Sequence, residues 1–180
     1  MNFIGIVGSL RKDSLNRKVL NAASALLPAG SKLEIVEIGS LPLYNQEIEN
    51  PFPAAALALK DKIKKSDGVI FATPEYNRTI PSALVNVVDW MSRPYGQNSF
   101  AGKPALVMSA SMGPIGGALA HYALKQSLLH LNMYVLGQPE IFIGTAQDKF
   151  DASGKLTDAS TKEFLANSLK TFADFAAKFK

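Results

Sequence analysis

The chain has 180 residues, 47% hydrophobic and 19% charged, which suits one globular domain with a sizeable core and excludes a disordered protein. Its net charge of +4 is spread over scattered Lys and Arg with no basic stripe, so the composition excludes a nucleic-acid reader and leaves room for anionic small ligands. The absence of cysteine removes disulfides, thiolate nucleophiles and cysteine-bound metals, and no apolar run approaches the ~20 residues that span a membrane.

No basic segment followed by an apolar stretch opens the chain, so a cytoplasmic protein is expected. Phe3–Val7 is continuously apolar and predicts a strand buried on both faces. It runs into Gly8-Ser9-Leu10-Arg11-Lys12-Asp13-Ser14-Leu15-Asn16. A helix follows from about Asn16, with Val19, Leu20, Ala23, Leu26 and Leu27 on one face, and Pro28-Ala29-Gly30 stops it. Lys32–Ile38 alternates as an edge strand does. Gly39–Pro53 is a long irregular connection of the kind that forms lids or subunit contacts.

Ala54–Lys65 reads as a helix and Gly68–Ala72 as the third strand. The loop Thr73-Pro74-Glu75-Tyr76-Asn77 comes next, then a helix opening at Ile80-Pro81 whose buried face reads as Leu84, Val85, Val88 and Met91. The fourth strand, Pro104–Ser109, leads into Ser111-Met112-Gly113-Pro114-Ile115-Gly116-Gly117 and a helix ending near Leu131. A fifth strand is split between Tyr134–Leu136 and Glu140–Ile143. The last helix spans Ser160–Lys178, opened by a capping box of Ser160 and Glu163, with Leu165, Leu169, Phe172, Ala176 and Phe179 at helical spacing. This alternation predicts a single α/β domain over residues 1–180: a doubly wound, five-stranded parallel sheet in the order 2-1-3-4-5 with helices on both faces.

In such a sheet, ligands sit beyond the carboxyl ends of the strands. Three loops leave those ends. In the first, Ser9, Arg11, Ser14, Leu15 and Asn16 combine hydroxyls, a guanidinium and helix-start N–H groups, the parts of a phosphate site. It also reads as a plain strand-to-helix loop with Ser14 or Asn16 as N-cap. It lacks the Lys-Ser/Thr of a P-loop and the second glycine of a dinucleotide fingerprint. In the second, Pro74, Glu75, Tyr76 and Asn77 either form a mere turn or offer backbone groups and a ring to a flat, hydrogen-bonding ligand. In the third, Ser111, Met112, Gly113 and Gly116 allow close backbone approach. A phosphorylated aromatic cofactor fits this set, flavin mononucleotide (FMN) best. His121 and His130 lie within the fourth helix without a metal-ligand spacing and read as structural, as does Asp89-Trp90.

These residues carry a family resemblance. Gly8-Ser9-Leu10-Arg11-x-x-Ser14-x-Asn16, Pro74-Glu75-Tyr76-Asn77 with Pro81 and Asp89-Trp90 downstream, and Ser111-Met112-Gly113-x-x-Gly116-Gly117 stand in register. Together they resemble the NADPH-dependent FMN reductase family in its quinone- and chromate-reducing branch. The resemblance implies a flavodoxin-like fold and tightly held FMN, with Ser9, Arg11, Ser14 and Asn16 around the phosphate and the other two loops along the ring. It implies NAD(P)H as co-substrate, a small-molecule electron acceptor, and a homodimer or homotetramer. The chain departs from the family's frequent Arg at Leu119 and Lys at Val85. The expected activity passes hydride via the flavin to quinone, azo, nitro or chromate-type acceptors by a ping-pong mechanism. The rival is a flavodoxin-type electron carrier with no reductase activity of its own. No recognisable clamp for a 2′-phosphate is present, and Arg78 and Arg93 are the candidates for that role.

Overall fold

The computed structural model describes residues 1–179. Strands β1 (Asn2–Val7), β2 (Lys32–Val36), β3 (Gly68–Thr73), β4 (Pro104–Ala110), β5 (Tyr134–Val135) and β6 (Ile141–Ile143) form one sheet. Helices α1 (Leu15–Leu26), α2 (Ala54–Lys65), α3 (Ser82–Ser92), α4 (Ala118–His130) and α5 (Ala159–Ala176) connect or flank them. The strand order is β2-β1-β3-β4-β5, with β6 also on β4. Every pairing is parallel, so β5 and β6 are two halves of one interrupted strand position.

Side-chain alternation along the strands splits the core in two. Ile70, Ala72, Leu106 and Met108 face Val19 and Leu20 of α1 and Leu165, Leu169 and Phe172 of α5. Val69, Phe71, Ala105 and Val107 face Leu59 and Ile63 of α2, Leu84, Val87 and Trp90 of α3, and Leu124 and Leu128 of α4. β1, β3 and β4 are covered on both sides, as their unbroken apolarity requires. β2 alternates exposed and half-buried residues at the sheet edge.

Three expectations change. The inward face of α3 is Leu84, Val87, Trp90 and Met91, while Val85 is exposed. The rotation follows from Trp90, whose indole is fully buried against the 39–53 segment and draws its side of the helix inward. α5 begins at Ala159 because Asp158, not Ser160, is its N-cap, accepting from the Thr161 N–H at 2.9 Å; the Ser160 hydroxyl donates to the same carboxylate. These bonds hold the Asp158 carboxyl well below the usual range. Phe179 lies beyond the α-helix in a 3₁₀ turn, where it stacks on Tyr134 with ring centroids 4.1 Å apart.

The 39–53 segment is fastened to α3 rather than hinged over a site. The Trp90 Nε1–H and the Asn86 side-chain amide both donate to the Pro42 carbonyl, at 2.7 and 2.9 Å. Tyr44 and Phe52 meet the indole edge-on at 5.1 Å. The Arg93 guanidinium and the Tyr44 hydroxyl donate to Glu49 at 2.5 and 2.8 Å, which keeps that carboxyl ionised below its usual range. Lys60 closes the same seam from α2. Its buried ammonium donates to the carbonyls of Met91, Arg93 and Gln97, and burial pushes its pKa down to about 8.

Candidate functional site

The loops after β1, β3 and β4 lie side by side at the carboxyl edge of the sheet. Gly8 has no side chain because a Cβ there would sit 3.1–3.2 Å from Leu84, Pro81 and Pro74, so the first loop rests directly on the second. Glu75 joins the second loop to the third. Its carboxylate accepts from the N–H groups of Leu119 and Ala120 at 3.0 and 3.2 Å, capping α4, whose own N-cap residue Gly117 has no side chain to do so. Asn16 joins the first loop to the third. Its amide donates to the Ala110 carbonyl at 2.9 Å and accepts from the Ala110 N–H at 3.0 Å.

In the first loop, Ser9 and Ser14 are buried, and Ser14 is the N-cap of α1, accepting from the Arg17 N–H at 3.2 Å. The Ser9 hydroxyl accepts from the Arg11 N–H at 3.3 Å. Arg11 is exposed, and among the described residues its guanidinium has no hydrogen bond or salt bridge. The backbone N–H groups of Leu15 and Asn16 likewise find no acceptor there. Free N–H groups at a helix start beside an unpaired guanidinium form a site for an anion. The Asn16 side chain itself is committed to Ala110, so only its backbone faces this role.

In the second loop, Tyr76 and Thr79 exchange backbone hydrogen bonds of 3.0 Å across Asn77 and Arg78, whose φ angles are 52° and 64°. This is a type I′ turn, for which Asn-Gly is the favoured pair. Arginine at the second position adopts a left-handed conformation that costs a non-glycine residue about 1–2 kcal/mol. Tyr76 remains 44% exposed at the mouth of the site. In the third loop, the Ser111 hydroxyl donates to the Gly113 carbonyl at 3.1 Å and Met112 is exposed. Gly116 has φ +68°, and a Cβ there would lie 2.8–2.9 Å from backbone atoms of Phe142, Ile143 and Gly144. Only glycine fits. Gly144, at the end of β6, is as tightly placed against the Pro114 carbonyl. Sequence reasoning missed this residue, although a glycine directly after a short apolar run was the signal.

His121 is fully buried against Phe142, at 4.6 Å between ring centroids, and neither ring nitrogen has a hydrogen-bond partner among the described residues. Burial first, then the nearby Lys125 charge, pushes its pKa down to about 4. It is a packed neutral ring one helical turn beyond the third loop, enclosed by Phe142 and Tyr122. Among the described residues, no group of His, Asp or Glu is arranged to hold a metal, and no helix is long and apolar enough to cross a membrane.

The architecture therefore defines a flavodoxin-like protein with three interlocked loops at the carboxyl edge of its sheet. Residues 1–148 match the family described as NADPH-dependent FMN reductase. A quinone reductase of Pseudomonas putida is 48% identical over 171 residues, covering 94% of this chain and 91% of its own. A quinone reductase of Escherichia coli is 38% identical over 184 residues, covering 100% and 97%. The structure of a flavoenzyme NAD(P)H:(acceptor) oxidoreductase from Paracoccus denitrificans superposes with a TM-score of 0.93 at 42% identity, covering 99% of this chain and 98% of that one. The chain belongs to the NADPH-dependent FMN reductase family. It is an oxidoreductase that uses FMN with NAD(P)H as electron donor.

Proposed function

We propose that the three-loop edge binds FMN and reduces quinones, with azo, nitroaromatic and chromate-type compounds as further acceptors, donor and acceptor taking turns at one position. The observation that carries this reading is the joining of the loops. An unpaired guanidinium and free helix-start N–H groups lie in one loop, and that loop is tied through Gly8 to the second, which carries the exposed Tyr76, and through Asn16 to the strand end that opens the third, where Gly113 leaves the backbone open. Ser9, Arg11, Ser14 and the N–H groups of Leu15 and Asn16 hold the phosphate in this reading. Pro74, Glu75, Tyr76 and Asn77, with Ser111, Met112, Gly113 and Gly116, border the ring. When bound, FMN accepts hydride from the nicotinamide and returns the electrons to the acceptor. The protein binds, orients and excludes water, and no side chain is assigned as acid or base. The names of similar proteins support the acceptor class: quinone reductase, and 2-hydroxy-1,4-benzoquinone reductase for a Burkholderia protein 38% identical to this chain.

Arg11→Ala is expected to weaken FMN binding by about 1.5–3 kcal/mol, the range of a hydrogen bond to a charged group. Fluorescence titration of the apoprotein measures it, and equal affinities would remove Arg11 from the site. Initial rates with quinone varied at fixed NAD(P)H levels are expected to give parallel double-reciprocal lines. Tyr76→Ala should change the Michaelis constants of both substrates with FMN still bound. Intersecting lines would show a ternary complex and refute the shared position.

The protein acts as a homodimer or homotetramer in this reading. The 39–53 segment, expected as a lid or subunit contact, packs its Tyr44 and Phe52 onto the fully buried Trp90 and spends that apolar surface inside the chain. The support lies instead on the outer faces of α3 and α4, where a groove of about 810 Å³ is lined by Val88, Tyr95 and Leu131 and Tyr95 is 90% exposed. Light scattering at micromolar concentration is expected to give at least twice the mass of one chain. A monomeric mass with FMN bound would overturn it.

A further inference from the structure

Two arginines are candidates for a second anion, and their positions and surroundings separate them: Arg78 lies in the second loop and Arg93 at the far end of α3. Arg93 is 25% exposed and engaged: its Nε–H donates to Glu49 at 2.5 Å, and its guanidinium lies 6.0 Å from the Tyr44 ring centroid. It fastens the 39–53 segment. The Arg78 side chain is 70% exposed, and its nearest charge is the Glu75 carboxylate at 3.7 Å. That carboxylate is already committed, through its other oxygen, to the Leu119 and Ala120 N–H groups. Arg78 also occupies the left-handed position of the turn, φ 64°, where glycine would sit without strain. The Arg78 side chain itself contributes only the 3.7 Å contact with Glu75. The paired Tyr76 and Thr79 backbone bonds hold the turn in place, and left-handed non-glycine residues held in this way cluster at active sites and ligand clamps.

We propose that Arg78 is a specificity-determining residue that takes the 2′-phosphate of NADPH and so sets a preference for NADPH over NADH. The inference rests on the reading that the three-loop edge receives the nicotinamide donor. The position suits this role, since Arg78 is two residues beyond Tyr76, on the turn that borders the ring site, and its exposed planar guanidinium matches a phosphate monoester dianion. Arg11 stands in a different loop and serves a different phosphate, so the two arginines are separable by mutation.

The test is Arg78→Gly, with Arg78→Lys beside it. Glycine is the residue this turn prefers, so folding is retained and thermal stability is expected to hold or rise. With the FMN-loaded protein, Arg78→Gly should lower kcat/KM for NADPH about tenfold or more, mainly through KM, the scale of a charge-assisted hydrogen bond. The value for NADH should stay within about twofold, FMN affinity should be unchanged, and Arg78→Lys should keep part of the preference. Calorimetric titration with adenosine 2′,5′-bisphosphate against AMP reads the same contact without turnover: the parent should favour the bisphosphate and the glycine variant should not. Loss of that preference upholds the inference even in a protein that oxidises neither donor, a result that would refute only the reductase reading. A parent without preference, an unchanged NADPH to NADH ratio in the glycine variant, or an equal fall with both donors would overturn it.

Discussion

Trp90→Ala is expected to destabilise the protein by about 3–5 kcal/mol, the range for truncating a large buried aromatic. Trp90 is fully buried, and both ring contacts that surround its indole come from the 39–53 segment. Truncation leaves a cavity between α3 and that segment and removes one of the two donors to the Pro42 carbonyl. Native proteins hold only about 5–15 kcal/mol of stability, so the loss is a large part of the total. Trp90 is the only tryptophan in the chain, so urea unfolding must be followed by circular dichroism rather than indole fluorescence. Trp90→Phe should fall between parent and alanine. A cost below about 1 kcal/mol for alanine would mean that Tyr44 and Phe52 collapse into the space.

The second large effect depends on pH. The folded chain holds His121 neutral with a pKa near 4, against 6.5 for a free imidazole. Between those values the unfolded chain binds a proton that the folded chain rejects. The contribution is therefore complete above pH 6.5, falls as pH drops through this window, and is lost at about pH 4; its total is about 3 kcal/mol. The groups acting on the ring are Lys125, which opposes its protonation, and Glu140, which favours it. Glu140 is itself bonded to the Tyr122 hydroxyl at 2.8 Å. His121→Leu removes the proton site and leaves no unpaired ring nitrogen in the core. Urea midpoints at pH 7 and pH 4.5 should show the parent losing about 2–3 kcal/mol more than the variant. An identical acid loss in both would mean that His121 does not sense protons in this range.

The sheet order and the three loops at its carboxyl edge were legible because buried parallel strands read as unbroken apolar runs and each run here ends in polar or glycine-rich residues. Element ends were legible to within one or two residues in most cases. The face of α3 was not, since Val85, Val87 and Val88 are equally apolar, and only the indole of Trp90 in contact with a distant segment decides among them. The same holds in the site. Asn16 and Glu75 stood out in the sequence as members of the loops at the strand ends. Yet the Asn16 amide closes on Ala110, 94 positions away, and the Glu75 carboxylate caps a helix 44 positions away. Neither partner is a side chain, so no residue type in the sequence announces it.

The Glu75 cap has a mechanical consequence. The turn bearing Tyr76 and Arg78 and the first turn of α4 share two hydrogen bonds to one carboxylate, so a shift of either strains the other. The outer side of α4 carries half-exposed Leu119 and Tyr122. A displacement of the helix start on that side would load the Glu75 carboxylate and, through it, the turn that carries Tyr76. A second molecule leaning on α4 would then be felt where the nucleotide arrives, with no contact between the two.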